Sequence, residues 1–299
     1  MKTVCVLMST YNGEKYIEEQ MNSILNQEDV KVKLIIRDDA SKDLTVDIIK
    51  RIMKKNKNIV LIEGENVGPA KSFMKLLNIN EEADYYAFAD QDDYWLKNKL
   101  ARAISKLELS KKEGKLYFST LNLVNQNLDY IRTTFLPENI SFKNEMIKNY
   151  ATGCTMVFDV KLKNLVQTSN FDYVPMHDSH MARIAMINNC YIYVDHESFI
   201  NYRQHDNNVL GMKSGFFSIW KLRYEHFVNS KKISSNYSKE LIKHKNLFLN
   251  ESDYHFIKML SEYDTNIKYK KNLIKMKIFD ESEKINNCLY KIKLLFNRV

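Results

Sequence analysis

Tyr85-Tyr86-Ala87-Phe88-Ala89-Asp90-Gln91-Asp92-Asp93-Tyr94-Trp95 is the stretch that decides the fold. Five mostly apolar residues run straight into three carboxylates, and two aromatics follow. The apolar run is too short for a helix and rich in aromatics, so it reads as a buried strand. The carboxylates then sit at its carboxyl end, where an open α/β sheet binds its ligands. Acids this close repel one another unless a positive charge is shared. One reading is a solvated acidic turn. The other is a site for Mg²⁺ or Mn²⁺, which take oxygen ligands and arrive with substrate phosphates.

Upstream, residues 3–8, 32–36 and 59–62 are further apolar, β-rich runs, as in strands covered on both faces. Between them apolar residues recur at helical spacing: Ile17, Met21, Ile24 and Leu25, then Val46, Ile49, Ile52 and Met53, then Phe73, Met74 and Leu77. A helix over 97–111 follows the acidic stretch. This β-α-β-α-β-α-β-α order predicts a parallel, Rossmann-like sheet with right-handed crossovers and helices on both faces. Its carboxyl edge would collect the loops 9–13, 38–41 and 90–95. No G-x-G-x-x-G follows the first strand and no G-x-x-x-x-G-K-[ST] occurs, which argues against the usual dinucleotide and P-loop folds.

Downstream, residues 116–121, 155–158 and 191–194 read as strands and 141–150 as a helix. Thr152-Gly153-Cys154 is a small-residue entry where a ligand can approach the backbone. Val174-Pro175-Met176-His177-Asp178-Ser179-His180 leads into a helix through Met181, Ile184, Ala185 and Ile187, and residues 199–211 read as a strand end and a polar loop. From Gly215 onward only helices are expected, over 216–230, 238–250, 252–263 and from 267. The division is therefore a catalytic domain over 1–211 and a basic helical subdomain over 212–299.

The 299 residues are 44% hydrophobic with only 3 prolines and 7 glycines, so the chain can bury a sizeable core and is not fibrous or disordered. Cys5, Cys154, Cys190 and Cys288 lie far apart with no C-x-x-C pair, which fits a reducing cytosol. We expect no signal peptide and no membrane span, and hence a cytoplasmic protein. The net charge of +8 is unevenly placed: from Gly211 on, 18 Lys and Arg face 9 Asp and Glu, whereas the first 210 residues carry 27 against 28.

The residues together resemble the inverting family 2 glycosyltransferases of GT-A type, and within them the bacterial rhamnosyltransferase-like enzymes of capsule, O-antigen and rhamnan assembly. The resemblance rests on Met8-Ser9-Thr10-Tyr11-Asn12-Gly13-Glu14-Lys15-Tyr16-Ile17, Ile36-Arg37-Asp38-Asp39-Ala40-Ser41-Lys42-Asp43, Asn66-Val67-Gly68-Pro69, Asp90-Gln91-Asp92-Asp93-Tyr94-Trp95 and Tyr202-Arg203-Gln204-His205-Asp206-Asn207-Asn208-Val209-Leu210-Gly211. It covers roughly residues 1–211, and the tail carries no matching motif. It implies transfer of a sugar, L-rhamnose from dTDP-rhamnose or otherwise a UDP-hexose, to a saccharide hydroxyl, with the acceptor linked to polyprenyl diphosphate. It also implies Mn²⁺ or Mg²⁺ on Asp90 and Asp92, with Asp92 the direct ligand, acting as a Lewis acid on the departing diphosphate. Asp90 and Gln91 would also border the donor. Asp93 would orient its neighbours or meet the acceptor.

By the same resemblance Thr10, Tyr11 and Glu14 face the nucleotide, and Asp39, with Asp38, hydrogen-bonds the base. The alternative for Asp38 and Asp39 is a turn and capping role. Family members place an acid at the start of a helix in the second half, often as Glu-Asp. Here that position reads His177-Asp178, and Asp178 is the candidate general base, or else a helix cap. His177 would assist or simply pack. His205 would complete the metal shell, contact the diphosphate or be structural. Arg203 would pair with the diphosphate or pack, and Trp95 would stack on a sugar or lie in the core.

The basic tail reads either as an ordinary helical subdomain with solvated lysines or as a surface for the anionic inner leaflet of a membrane. A nucleotidyltransferase is a competing reading, but residues 9–13 hold no basic group for a triphosphate. A nucleic-acid partner, suggested by the pI near 9.0, is not expected, because the basic residues lie away from the proposed site.

Overall fold

The computed structural model describes residues 1–204, 232–244 and 250–299. They fall into two compact units, one of residues 1–138, 150–170 and 176–204, the other of residues 139–149, 171–175 and the described residues beyond 231.

In the first unit the expected alternation is present. β1 (Lys2–Thr10), α1 (Ile17–Leu25), β2 (Val30–Asp38), α2 (Thr45–Met53), β3 (Ile59–Glu63), α3 (Pro69–Leu77) and β4 (Tyr85–Ala89) follow in order. Next come β5 (Tyr94–Trp95), α4 (Lys99–Leu107), β6 (Lys115–Ser119), β7 (Asn122–Val124), β8 (Tyr130–Thr133) and α5 (Phe142–Ile147), the last belonging to the second unit. The first unit resumes with β9 (Val157–Asp159), α6 (Val160–Thr168), α7 (His177–Ile187), β10 (Tyr191–Asp195) and β11 (Ile200–Arg203).

The main sheet has the order β10-β6-β9-β4-β1-β2-β3. β1 pairs in parallel with β2, Thr10 opposite Asp38, and with β4, Met8 opposite Ala89. This register brings the exits of all three strands to one edge. β4 is buried along its whole length, as a central strand covered on both faces must be. β9 runs antiparallel to both β4 and β6, so the sheet is mixed and not wholly parallel. A second, four-stranded sheet runs β5-β11-β7-β8. Its strands are two to four residues long, and β8 is exposed throughout. Strands that short carry no readable alternation, which is why the expected strand 116–121 stops at Ser119 and a hairpin follows it.

The second unit is helical: α5, α8 (Ile233–Lys243), α9 (Glu251–Glu262), α10 (Ile267–Lys275) and α11 (Lys284–Leu295). Tyr237, Leu241, Phe256, Ile257, Leu260, Tyr263, Leu273, Tyr290 and Leu294 form its core. α5 starts with a reciprocal capping box between Ser141 and Asn144. The helix expected over 216–230 and the boundary at 211/212 lie outside the described residues. Among the described residues no helix is long and apolar enough to cross a membrane.

Candidate active site

The acidic loop after β4 is clamped by its neighbours. Gln91 Oε1 accepts hydrogen bonds from Thr10 Oγ1 at 2.6 Å and the Tyr11 N–H at 2.8 Å, and its Nε2 donates to the Tyr11 carbonyl at 3.1 Å. Gly13 permits this approach: a Cβ there would lie 2.3 Å from Gln91 Oε1. From α1, Gln20 Nε2 donates to the Asp90 carbonyl at 3.0 Å, and Ser23 Oγ accepts the Trp95 N–H at 3.1 Å. From β11, Arg203 Nε donates to the Asp92 carbonyl at 2.9 Å, while its other nitrogens reach the Gln126 carbonyl and the Glu19 carboxylate. The Arg203 guanidinium is thus engaged in fixing the acidic loop.

The side chains of Asp90, Asp93 and Cys154 converge, with one ligand atom from each lying within 4.8 Å of the others. Asp93 is 1% exposed; its Oδ1 accepts the Arg203 N–H at 3.3 Å, but among the described residues its buried Oδ2 has no hydrogen-bond partner. Burial, then the charges of Asp92 and Asp178, pushes the Asp90 carboxyl up to about 7. Burial, then Asp92 and Asp90, raises Asp93 well above the carboxylate range. Such a set is costly as anions alone and suits a divalent cation, which would satisfy the orphaned oxygen and share the charge. Cys154 adds a sulfur donor, which tilts the set from Mg²⁺ toward Mn²⁺ or a softer ion. Among the described residues Asp92 is not part of this convergence, although it flanks it in sequence.

Asp178 lies in the first turn of α7, whose cap position is Met176. Its Oδ2 accepts the Gly153 N–H at 3.2 Å and its Oδ1 the Ser179 N–H at 2.6 Å. It is near enough to Asp90 to raise that carboxyl. So Asp90, Asp93, Cys154 and Asp178 come together. His177 beside it is buried, stacked on Phe73 with ring centroids 3.8 Å apart and edge-on to Phe88 at 4.7 Å. Burial, opposed by Asp178, pushes its imidazole down to about 4, so it packs as a neutral ring. Trp95 is 1% exposed and part of the core, whereas Tyr94, its neighbour on β5, is half-buried; both border an open groove of about 900 Å³ with Asn22, Asn26 and Glu18. Alternation along the strand explains the pair. The buried rings of Trp95 and His177 therefore present no face to an acceptor in this arrangement.

Asp38 accepts from the Ser41 N–H at 2.8 Å and from Ser41 Oγ at 2.5 Å. Asp39 pairs with Arg37 and accepts the Val67 and Gly68 N–H groups ahead of α3. Gly68 has φ 80°, a conformation glycine adopts without strain, and Pro69 opens the helix. Burial works against the Asp39 charge, but Arg37 and these two N–H groups hold the carboxyl below its usual range. Glu14 accepts the Leu44 N–H at 2.9 Å, and Tyr11 is 44% exposed at the mouth of the loops. His205 lies outside the described residues.

The sequence reading missed two groups. It flagged residues 152–154 as a ligand entry without assigning the thiol. Lys99 carried no signal at all, yet it is 1% exposed, its Nζ sits 3.6 Å from the centre of the Trp95 ring, and among the described residues that nitrogen has no hydrogen-bond partner. Burial, opposed by Cys154 and Asp93, pushes its ammonium down to about 7.

Known proteins share the sequence family and the fold of this chain. Residues 5–159, more than half of the chain, match the family described as Glycosyl transferase family 2. The chain is 30% identical over 237 residues to the dTDP-rhamnosyl transferase RfbG of Shigella flexneri, covering 72% of this chain and 77% of that protein. It is 25% identical over 239 residues to the UDP-Glc:alpha-D-GlcNAc-diphosphoundecaprenol beta-1,3-glucosyltransferase WfgD of Escherichia coli, covering 80% and 82%. Among solved structures, S. aureus TarS 1–349 in complex with UDP-GlcNAc aligns over 98% of this chain and 90% of that chain with a TM-score of 0.57 at 17% identity, which shows a shared fold.

Proposed function

Because the chain belongs to glycosyl transferase family 2 and is a glycosyltransferase of GT-A fold, we propose that it moves a sugar from a nucleotide-diphosphate donor, with inversion, to a hydroxyl of a saccharide acceptor in cell-surface polysaccharide synthesis. The donor is dTDP-L-rhamnose, with a UDP-hexose the next choice; the name of RfbG supports the first. The acceptor is carried on a polyprenyl diphosphate, as the name of WfgD states for its own substrate.

The observation that carries the reading is the convergence of Asp90, Asp93 and Cys154 beyond the end of β4, with an orphaned carboxylate oxygen inside it. These three would hold Mn²⁺ or Mg²⁺, with Asp92 on the diphosphate side. Bound there, the ion supplies Lewis-acid stabilisation of the leaving diphosphate. Thr10, Tyr11 and Gln91 border the donor and keep the β1 exit fixed against the acidic loop. Arg203 holds that loop through the Asp92 carbonyl. Asp178 takes the proton of the attacking hydroxyl, its carboxylate aimed by the Gly153 and Ser179 N–H groups.

The test is a panel of dTDP-rhamnose, UDP-glucose and UDP-N-acetylglucosamine, each with Mn²⁺, Mg²⁺ or chelator, scored by release of nucleoside diphosphate and by sugar on a synthetic acceptor. Turnover of one donor that chelator abolishes is the expected result. Turnover unaffected by chelator overturns the ion, and the absence of turnover with every donor overturns the substrate class.

A further inference from the structure

In the second unit α11 carries an apolar stripe that the described residues of its own unit leave exposed. Tyr290 and Leu294 face the core at 1% and 0% exposure. On the far side Ile285 is 59% exposed, Ile292 36% and Leu295 58%, and Cys288 is exposed with them. The spacing i, i+3, i+7, i+10 keeps these four on one face. Lys284 and Lys291, seven residues apart and both exposed, run along its flank. Residues 284–299 hold four Lys and Arg and no acid, and Glu281 just before them lies 3.9 Å from Lys284 in an exposed pair. Ile267 at the start of α10 adds another exposed apolar side chain, at 66%, with Lys268, Lys271 and Lys275 exposed after it.

We propose that this face of α11 docks on an anionic lipid bilayer, lying in its interface with Ile285, Cys288, Ile292 and Leu295 in the acyl boundary and the lysines at the headgroups. A second copy of the chain is the alternative occupant, and charge decides against it. Pairing two α11 stripes sets cation row beside cation row in the antiparallel sense, and in either sense offers no acid from 284–299 to meet them. An anionic bilayer complements both features at once, because apolar burial and cation attraction act on the same helix. The arrangement suits a polyprenyl-linked acceptor and to that extent rests on the function proposed above; vesicle binding and sugar transfer are measured separately, so either can fail alone.

The experiment is co-sedimentation of the whole chain with vesicles of phosphatidylcholine alone or with about 30% phosphatidylglycerol, at about 0.1 M and 0.5 M salt, where screening differs. Binding should require the anionic lipid and weaken at high salt. Replacing Lys284 and Lys291 by Gln should weaken it about fivefold per cation. The pair Ile292→Glu and Leu295→Glu should abolish it with an unchanged melting temperature, since both side chains are exposed, and with unchanged transfer to a soluble acceptor. Should the Glu pair prevent folding, the Gln pair decides. Equal binding to neutral vesicles, no binding, or binding unaffected by these changes overturns the proposal, as does a solution dimer that Ile292→Glu dissociates.

Discussion

Two groups of acids leave the strands on either side of β1 at one edge of the main sheet, and they are built in opposite ways. Asp38 and Asp39, at the end of β2, have donors for their oxygens: the Ser41 N–H and hydroxyl, the Arg37 guanidinium, and the Val67 and Gly68 N–H groups. Asp90 and Asp93, after β4, are packed against each other and a thiol, and Asp93 keeps a buried oxygen with no partner. Asp39 is depressed in pKa, and Asp90 and Asp93 are raised. A carboxylate with its donors in place needs no ion and acts as scaffold. Carboxylates pressed together with a buried oxygen left over are held for a positive charge that comes from outside.

The contrast is broken most directly by neutralising the second group. Asp90→Asn together with Asp93→Asn should lower turnover by about a thousandfold or more, the several kcal/mol that such charge stabilisation supplies. Stability should hold or rise, because a repulsion is removed. Nucleoside diphosphate release and urea unfolding on one preparation check both. Full turnover would show that the pair is no ion site, and collapse of the fold would make it scaffold like Asp38 and Asp39. Asp178→Asn should cost about 10²–10⁴-fold in kcat, the range of a lost general base, while donor affinity by calorimetry stays near that of the unaltered protein. Transfer at the normal rate would relieve Asp178 of the base role.

In the first group the expected loss is stability. Asp39→Ala leaves Arg37 buried and unpaired, a change that costs about 3–5 kcal/mol. The folded Asp39 pKa is depressed, so its stabilisation is complete above the ordinary carboxylate value of about 3.9 and fades as pH falls through the lower folded value. Urea midpoints of the two proteins should therefore differ most near neutrality and converge in strong acid. A constant difference down to the lowest accessible pH would remove the ion pair from the account.

Much of this edge was legible in the sequence because its signals are local. Apolar runs ending in Asp or Ser place residues at strand exits, and helical spacing between them fixes the crossovers, so β1 to β4 and the meeting of residues 9–13, 38–41 and 90–95 could be read directly. What was not legible depends on contacts between distant segments. β9 inserts antiparallel between β4 and β6, a pairing that its three residues do not announce. Cys154 reaches the acids only because β9 follows it into the sheet beside β4. Asp38 and Asp39 share a residue type with Asp90 and Asp93, and their opposite states depend on Arg37, Val67 and Gly68. Trp95 and Tyr94 look alike in the chain, yet one is buried in the core and the other only half-buried.

Lys99 gives the smallest effect and the finest distinction between scaffold and site. It is a buried cation near Asp93 whose nitrogen lies over Trp95 without a hydrogen bond. A desolvated cation–π contact is worth about 2 kcal/mol, which does not outweigh the several kcal/mol of burying an ammonium. Lys99→Met, of similar length and apolar, should therefore leave stability unchanged or raise it. The same change removes a positive charge that competes with an incoming one. Mn²⁺, titrated by electron paramagnetic resonance, should bind about two- to fivefold more tightly, the worth of one well-screened like charge at short range. Weaker binding instead would mean that Lys99 orients Asp93 for the ion, and Lys99→Arg, which keeps the charge, would then restore it. Destabilisation well beyond 1 kcal/mol would place Lys99 with Arg37 as scaffold, and the division between the two acid groups would no longer follow the strand from which they come.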